Sequence, residues 1–370
     1  MSNPWTCVLI RSTLGSSEPR FQNASKLLRH LGLQVTHINW ARSKSEDQGL
    51  ISQSEILFKL QAQYGDGVKN YFKHLCFLIY VFQTLHKSRP KVIYACDLDT
   101  FLPSLIYSKL NKVILIFDQF DPLSARVGNS LFKRAIDLIE NLLARGADLR
   151  VTANLQRQSK DAQQSWLEIR NLFPLKVDME RLISNKQAFL LFYGGILGYD
   201  RGLLECANVV RNKTHWKMDI FGQGAARKAL EQITSKKIVI HDPISHQDLM
   251  EHAQSANLYL AMYDPSIQNN RLTASNKLFE AAQLGIPILT SKGTHIGDTV
   301  QKYKLGWVVT YGNLIEIEEA LDDCAGLSEH RIAEIISNLA GFYQHERERQ
   351  NSNIQDLENR ITTMLNFGRA

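Results

Sequence analysis

The chain has 370 residues, 44% hydrophobic and 22% charged, with a formal net charge of +6. That is a soluble, globular profile, long enough for roughly two to three domains. The positive excess is too mild for a nucleic-acid binder and gathers into no Lys/Arg block, though it suits a phosphorylated ligand or an anionic membrane surface.

The five cysteines, Cys7, Cys76, Cys96, Cys206 and Cys324, stand singly with no C-x-x-C pair. This speaks against zinc or dithiol chemistry and for reduced, mostly buried thiols in a cytoplasm. Thr6–Ile10 reads as a first strand rather than a signal peptide. Arg11–Arg20 is a loop, Asn23–Leu31 a helix closed by Gly32, and Val35–Trp40 the next strand. This βαβ opening predicts a parallel sheet. Ala41–Gln53 is polar and reads as a loop. Val68–His86 is a long apolar helix with Lys69, Lys73 and Lys87 near its ends. It reads as a core helix of an α/β layer, with a membrane-surface or acceptor-side helix as the other reading. No stretch is long enough to span a bilayer.

Lys91–Cys96 is a strand ending in Asp97-Leu98-Asp99, and Val113–Phe117 a strand ending in Asp118-Gln119-Phe120-Asp121. A helix over Phe101–Leu110 lies between them. Both acidic groups fall at strand carboxyl ends, where open parallel sheets place ligands. A helix at Arg134–Ala144, a strand at Leu149–Thr152 and a helix at Leu155–Gln164 follow. Asn171–Pro174 marks a break and Leu175–Lys186 a charged linker. A second α/β series runs from the strand Phe189–Tyr193 through strands at Trp216–Phe221, Ile238–His241, Leu258–Met262, Ile286–Thr290 and Gly306–Val309. The helices between them are expected at Leu203–Arg211, Ala225–Ile233, His246–Ala253 and Asn313–Cys324, and the tail from His330 is helical.

Three constellations can carry chemistry. Gly194, Gly195 and Gly198 with Arg201 follow a strand and open a helix, so backbone and guanidinium can approach a phosphate. The alternative is a plain strand–helix turn. It is neither a Walker loop nor a G-x-G-x-x-G fingerprint. Ser275, Asn276, Lys277 and Glu280 open another helix. Its amides and Lys277 suit a diphosphate and Glu280 suits ribose hydroxyls, while the plainer reading is an i,i+3 ion pair on a helix surface. Asp97 with Asp99 forms a D-x-D able to hold a divalent metal. Asp118 or Asp121 can act as a general base, or in a turn and cap. His241 reads as structural.

In order and spacing, several stretches resemble the family 4 glycosyltransferases of the GT-B fold. FYGGILGYDRGL is similar to the family's strand–glycine loop, and WKMDIFGQGAARKAL to its next strand and glycine turn, which contains Gly222. KIVIHDPISHQDLMEHAQSANLYLAMYDPS precedes NKLFEAAQLGIPIL, which resembles the donor-binding helix. VIYACDLDTFLPSLI and LIFDQFD resemble strand ends of the first domain. The resemblance implies an α/β chain of two Rossmann-like domains facing a cleft: residues 1–172 for the acceptor, 173–345 for a nucleotide-sugar donor, and 346–370 a helix returning to the first domain. It implies donor contacts at Gly194, Gly195, Arg201, Gly222, Ser275, Asn276, Lys277 and Glu280, and acceptor-side chemistry at Asp97, Asp118 and Asp121.

No metal or other cofactor is expected on this reading. The partners are a nucleotide-sugar and a glycan or lipid-linked acceptor in surface polysaccharide synthesis, in the cytoplasm or peripherally at the inner face of the membrane. The chain departs from the pattern at three positions. Leu272 stands where the family's first Glu falls, Gly195-Ile196 replaces a Gly-Arg pair, and Cys96 replaces a His. Two alternatives stay open: a metal-dependent GT-A transferase centred on Asp97 and Asp99, and a nucleotide-sugar binding protein without turnover.

Overall fold

The computed structural model describes residues 5–14, 18–42, 54–62, 71–120, 131–158, 163–170, 172, 189–233, 235–273 and 275–368. The expected linker at 175–186, Lys69 and Asp121 lie outside the described residues. The chain divides into two compact units, residues 1–171 with 350–370, and residues 172–349.

In the first unit, strands and helices alternate as β1 (Thr6–Arg11), α1 (Pro19–His30), β2 (Gln34–Ala41), β3 (Glu55–Lys59), α2 (Tyr71–Ser88), β4 (Val92–Cys96), α3 (Asp97–Asn111), β5 (Ile114–Gln119), α4 (Leu131–Ala144), β6 (Leu149–Thr152) and β7 (Leu167–Glu168). They form one seven-stranded sheet in the order β3-β2-β1-β4-β5-β6-β7, with every pairing parallel. Strands buried on both faces need continuous apolar runs, and Val92–Cys96 is buried at every position. The topological switch falls between β1 and β4, so the chain leaves Arg11 and Cys96 at the crevice where such sheets bind ligands.

The second unit repeats the scheme: β8 (Phe189–Gly194), α5 (Leu203–Asn212), β9 (Trp216–Phe221), α6 (Arg227–Ile233), β10 (Ile238–His241), α7 (His246–Ala253), β11 (Leu258–Leu260), α8 (Gln268–Leu272), α9 (Asn276–Leu284), β12 (Ile288–Ser291), α10 (His295–Tyr303), β13 (Gly306–Val309) and α11 (Leu314–Ala325). Its six-stranded parallel sheet has the order β10-β9-β8-β11-β12-β13 and switches between β8 and β11. A single 39-residue helix, α12 (Glu329–Phe367), follows. Ile335, Leu339, Phe342 and Tyr343 from its first half join a core cluster of the second unit. Leu357 and Ile361 from its second half join Cys7, Leu9 and Tyr94 of the first.

Several elements differ from the sequence reading. Helix α1 starts at Pro19, not Asn23, because proline's fixed φ and missing N–H suit a first helical turn. Strand β3, absent from the sequence reading, pairs with β2 at the sheet edge. Of the helix expected at Leu155–Gln164, the described residues show a 3-10 turn at Leu155–Arg157, started by Asn154 accepting from the Gln156 amide, and a helical residue at Gln163 followed by a turn. It leads to the two-residue strand β7. Helices α8 and α10 were not foreseen. Two separate parallel sheets, one in each unit, also set aside the single-domain GT-A alternative.

Candidate functional site

The switch point of the second sheet collects the expected donor motifs. Strand β8 ends at Gly194, and the loop after it crosses the loop after β9. Gly195 N–H donates to Phe221 O at 2.9 Å, and Leu197 N–H to Gln223 O at 2.9 Å. The crossing is so tight that a Cβ on Gly222 would lie 1.8 Å from Gly195 O. A Cβ on Gly195 would lie 2.8 Å from Lys277 Nζ. Glycine at 195 therefore lets the lysine ammonium reach the loop backbone.

Helix α9 presents that lysine. Ser275 caps it, its hydroxyl accepting from the Lys277 amide at 3.2 Å, and Gly285 closes it in a left-handed conformation. Asn276, at the first helical position, is exposed. Among the described residues Lys277 Nζ forms no ion pair; it lies 4.9 Å from the centre of the Tyr193 ring. Burial works against its charge, but Tyr263, Tyr193 and Glu280 around it more than compensate, so its pKa sits above the ordinary lysine value. The surface i,i+3 pair between Lys277 and Glu280 is not formed.

Glu280 is held from elsewhere. Tyr259 OH donates to its Oε2 at 2.8 Å, and His246 Nε2 lies 3.2 Å from its Oε1. Burial would raise the carboxyl's pKa; His246, Lys277 and Tyr259 bring it below the usual value. The same hydrogen bond to Glu280 raises His246, against the opposing effect of burial.

Arg201 lies 4.4 Å from the Tyr263 ring centre and bonds Asn270 Oδ1 at 3.0 Å and Asp200 Oδ2 at 3.1 Å. Tyr263 OH donates to Ser275 Oγ at 2.6 Å. The structure thus brings Gly195, Gly222, Arg201, Ser275, Lys277 and Glu280 into one cluster, with two cations at the start of a helix. Such a cluster can neutralise a diphosphate while a carboxylate accepts from hydroxyls. Sequence reasoning missed Tyr193, His246, Tyr259 and Tyr263. Their only sequence signal was position, at a strand end or helix start beside a motif.

A pH dependence follows from the Glu280–His246 contact. The raised pKa of His246 means that its contribution is complete below the ordinary value of 6.5 and fades as pH rises through the folded value. The depressed Glu280 contributes above its ordinary 4.5 and loses that as pH falls through its folded value. A His246→Gln protein is therefore expected to lose more stability at about pH 5.5 than at about pH 8.5, by roughly 0.5–1 kcal/mol, since the imidazole is 36% exposed. Thermal melts at the two pH values measure this; an equal loss at both would remove the pairing.

In the first unit the acidic candidates lie close in the sheet, Asp118 in register with Cys96, but take different partners. Asp118 is fully buried between three donors: Arg20 Nε reaches both its oxygens at 3.2 Å, Arg20 Nη2 bonds Oδ1, and Tyr94 OH donates to Oδ2 at 2.8 Å. Burial and the neighbouring Asp118 push the Tyr94 hydroxyl well above its ordinary value, so it remains a donor. Asp97 has a left-handed φ of 64°. Its carboxylate accepts from the Phe120 amide at 2.9 Å and from Arg11 at 3.4 Å. Asp99 accepts from the Thr100 amide at 3.0 Å. Among the described residues no group of three or more His, Cys, Asp or Glu side chains is placed to hold a metal. His241 stacks on Phe221 with ring centres 4.1 Å apart.

Comparison with known proteins adds to this geometry. Residues 190–325 match the family model described as glycosyl transferases group 1. No curated protein matches the sequence. Among solved structures the chain is similar to sucrose-phosphate synthase from Thermosynechococcus elongatus, at 13% identity and a TM-score of 0.70 over 98% of each chain. It is similar to Anabaena HepE in complex with UDP and glucose, at 15% identity and a TM-score of 0.70 over 97% of this chain and all of that one (100%). It is also similar to the apo form of the lipopolysaccharide outer core galactosyltransferase WaaB, at 12% identity and a TM-score of 0.61, covering 97% of this chain and 99% of that one. The fold is that of GT-B proteins, with two Rossmann-like units.

Proposed function

We propose that this chain, whose second unit carries a group 1 glycosyltransferase domain, moves a sugar from a nucleotide-sugar donor to a hydroxyl of a glycan or lipid-linked acceptor. The observation that carries the donor reading is Lys277. Its ammonium has no carboxylate partner among the described residues and stands beside the backbone of Gly195 at the sheet's switch point. In this reading Lys277, Arg201 and the α9 N-terminus take up the charge of the departing diphosphate, so the reaction needs no metal. Glu280, oriented by Tyr259 and His246, accepts from ribose hydroxyls. The acceptor belongs to the first unit, with Asp97 beside it. The work is surface polysaccharide synthesis in the cytoplasm, with peripheral contact at the inner face of the membrane.

Calorimetry of Lys277→Ala against UDP-, GDP-, ADP- and dTDP-sugars tests the donor site. Loss of a charge-assisted contact of about 1.5–3 kcal/mol weakens binding of the true donor roughly 10- to 150-fold. Unchanged affinity would reject the docking. Release of free nucleoside diphosphate when donor and acceptor are mixed separates the transferase from a binding protein without turnover, the alternative that Leu272 in place of a Glu keeps open.

A further inference from the structure

Helices α2, α3 and α4 cover one face of the first sheet. Their inner side chains, including Phe77, Val81, Phe101, Tyr107 and Ala144, belong to one core cluster with Ile10 and Leu115. Neighbouring helices touch: the Phe82 and Tyr107 rings lie 6.0 Å apart, and a Cβ on Gly146, just after α4, would meet Leu105 Cδ1 at 2.7 Å. The core reading of the long apolar helix therefore holds for its inner face.

The outer face of this layer is also apolar. On α2, Phe72, Leu75 and Ile79 follow helical spacing and are exposed, Phe72 at 72%. On α3, Leu102, Ile106 and Leu110 do the same, Leu110 at 71%. On α4, Leu138, Ile139 and Leu142 are exposed. Single exposed apolar side chains are ordinary, but three on each of three adjacent helices make a patch that calls for a partner.

The surrounding charge is predominantly positive; the acids of α4 are Asp137, next in sequence to Leu138, and Glu140, which is buried against Gln119. Residues 71–91 contain Lys73, Lys87, Arg89 and Lys91 and no acid; residues 100–114 contain Lys109 and Lys112 and no acid. Arg145 follows α4. The cations at the helix ends also suit the macrodipole, but the macrodipole does not account for the apolar outer face. In an isologous contact the same face meets itself, so a second copy would set these cations mainly against cations, with Asp137 of α4 as the acid offered in return. An anionic bilayer surface offers phosphates for the cations and an apolar boundary for the leucines and isoleucines. Among the described residues no helix is long and apolar enough to cross a membrane, so contact by a helix face is peripheral.

We propose that the outer face of the α2–α3–α4 layer docks on an anionic lipid surface. This makes specific the membrane contact named above, and rests on that reading only for the chemistry that docking serves. Co-sedimentation of the full chain with phosphatidylcholine vesicles, with and without about 30% phosphatidylglycerol, tests it. At least tenfold tighter binding to the anionic vesicles is expected, weakened by salt. Ile79→Glu, Ile106→Glu and Leu138→Glu together should cost a further tenfold or more, and Lys87→Glu, Lys109→Glu and Lys112→Glu together should abolish the preference for anionic lipid.

Circular dichroism and melting establish that these surface variants fold, and Ile106→Gln alone serves where the triple does not. Lys277→Ala should keep vesicle binding while losing donor binding, which separates failure of the docking from failure of the transferase reading. No binding to either vesicle, or equal binding by wild type and the apolar variant, overturns the proposal. So does a dimer in sedimentation that the same substitutions dissolve, which would give the face to a second copy.

Discussion

A Gly222→Ala protein is expected to lose the native state of its second unit, with the core around Tyr193 and Met218 unprotected against proteolysis. The residue has φ 148°, and its Cβ would lie 1.8 Å from the carbonyl oxygen of Gly195. The obstructing atom is backbone and cannot rotate away. Moving it breaks the two hydrogen bonds that lace the crossing loops, Gly195 N–H to Phe221 O and Leu197 N–H to Gln223 O. A cost above about 4 kcal/mol is a large part of a domain's stability, which is of the order of 5–15 kcal/mol. Gly312 is the control: its φ is 79° and nothing lies within 4 Å of an added Cβ, so it carries backbone strain without collision. Gly312→Ala should therefore cost only about 1–3 kcal/mol. Equal melting points for the two variants would mean that the loops do not cross so closely.

The second large effect is expected at Asp118. Asp118→Asn leaves the Arg20 guanidinium buried with its Ile169 carbonyl but without its counter-charge. Removing one partner of such a pair costs about 3–5 kcal/mol, mostly the penalty of the remaining bare charge. The double variant Arg20→Met with Asp118→Leu removes both charges and is expected to recover most of the loss. Urea denaturation of the first unit measures both. If Asp118→Asn folds at full stability and only the reaction slows, the residue is a base after all and the anchoring role given to it by Arg20 is incorrect.

The alternation of strands and helices was legible because parallel strands buried on both faces demand unbroken apolar runs such as Val92–Cys96, and few other contexts produce them. Helix α9 was legible because Ser275, Gly285 and Pro287 mark its two ends by local chemistry. The partners of Glu280 were not. His246 and Tyr259 lie 34 and 21 residues away from it in sequence. Neither shows a period or motif of its own, and only strand order brings them together. The same holds for Asp118. As a sequence letter it is a carboxylate at a strand end, fit for a base. Its buried pairing with Arg20, 98 residues earlier, could not be read there, because the sequence places Arg20 in a loop whereas α1 begins at Pro19. Strand β3 was missed for a different reason: it is five residues long at a sheet edge, and its run Ile56-Leu57-Phe58 is too short for its period to tell a strand from a helix.

The long last helix has a consequence for how the protein is made. Leu357 and Ile361 lie in the core of the first unit, yet they are translated after all of residues 172–349. Synthesis from the N-terminus usually lets the leading domain fold first. Here the leading unit emerges with a gap where two side chains belong, and its apolar sheet face waits on the ribosome until the trailing unit has been built. The core of the first unit is therefore completed only after the second unit has been translated.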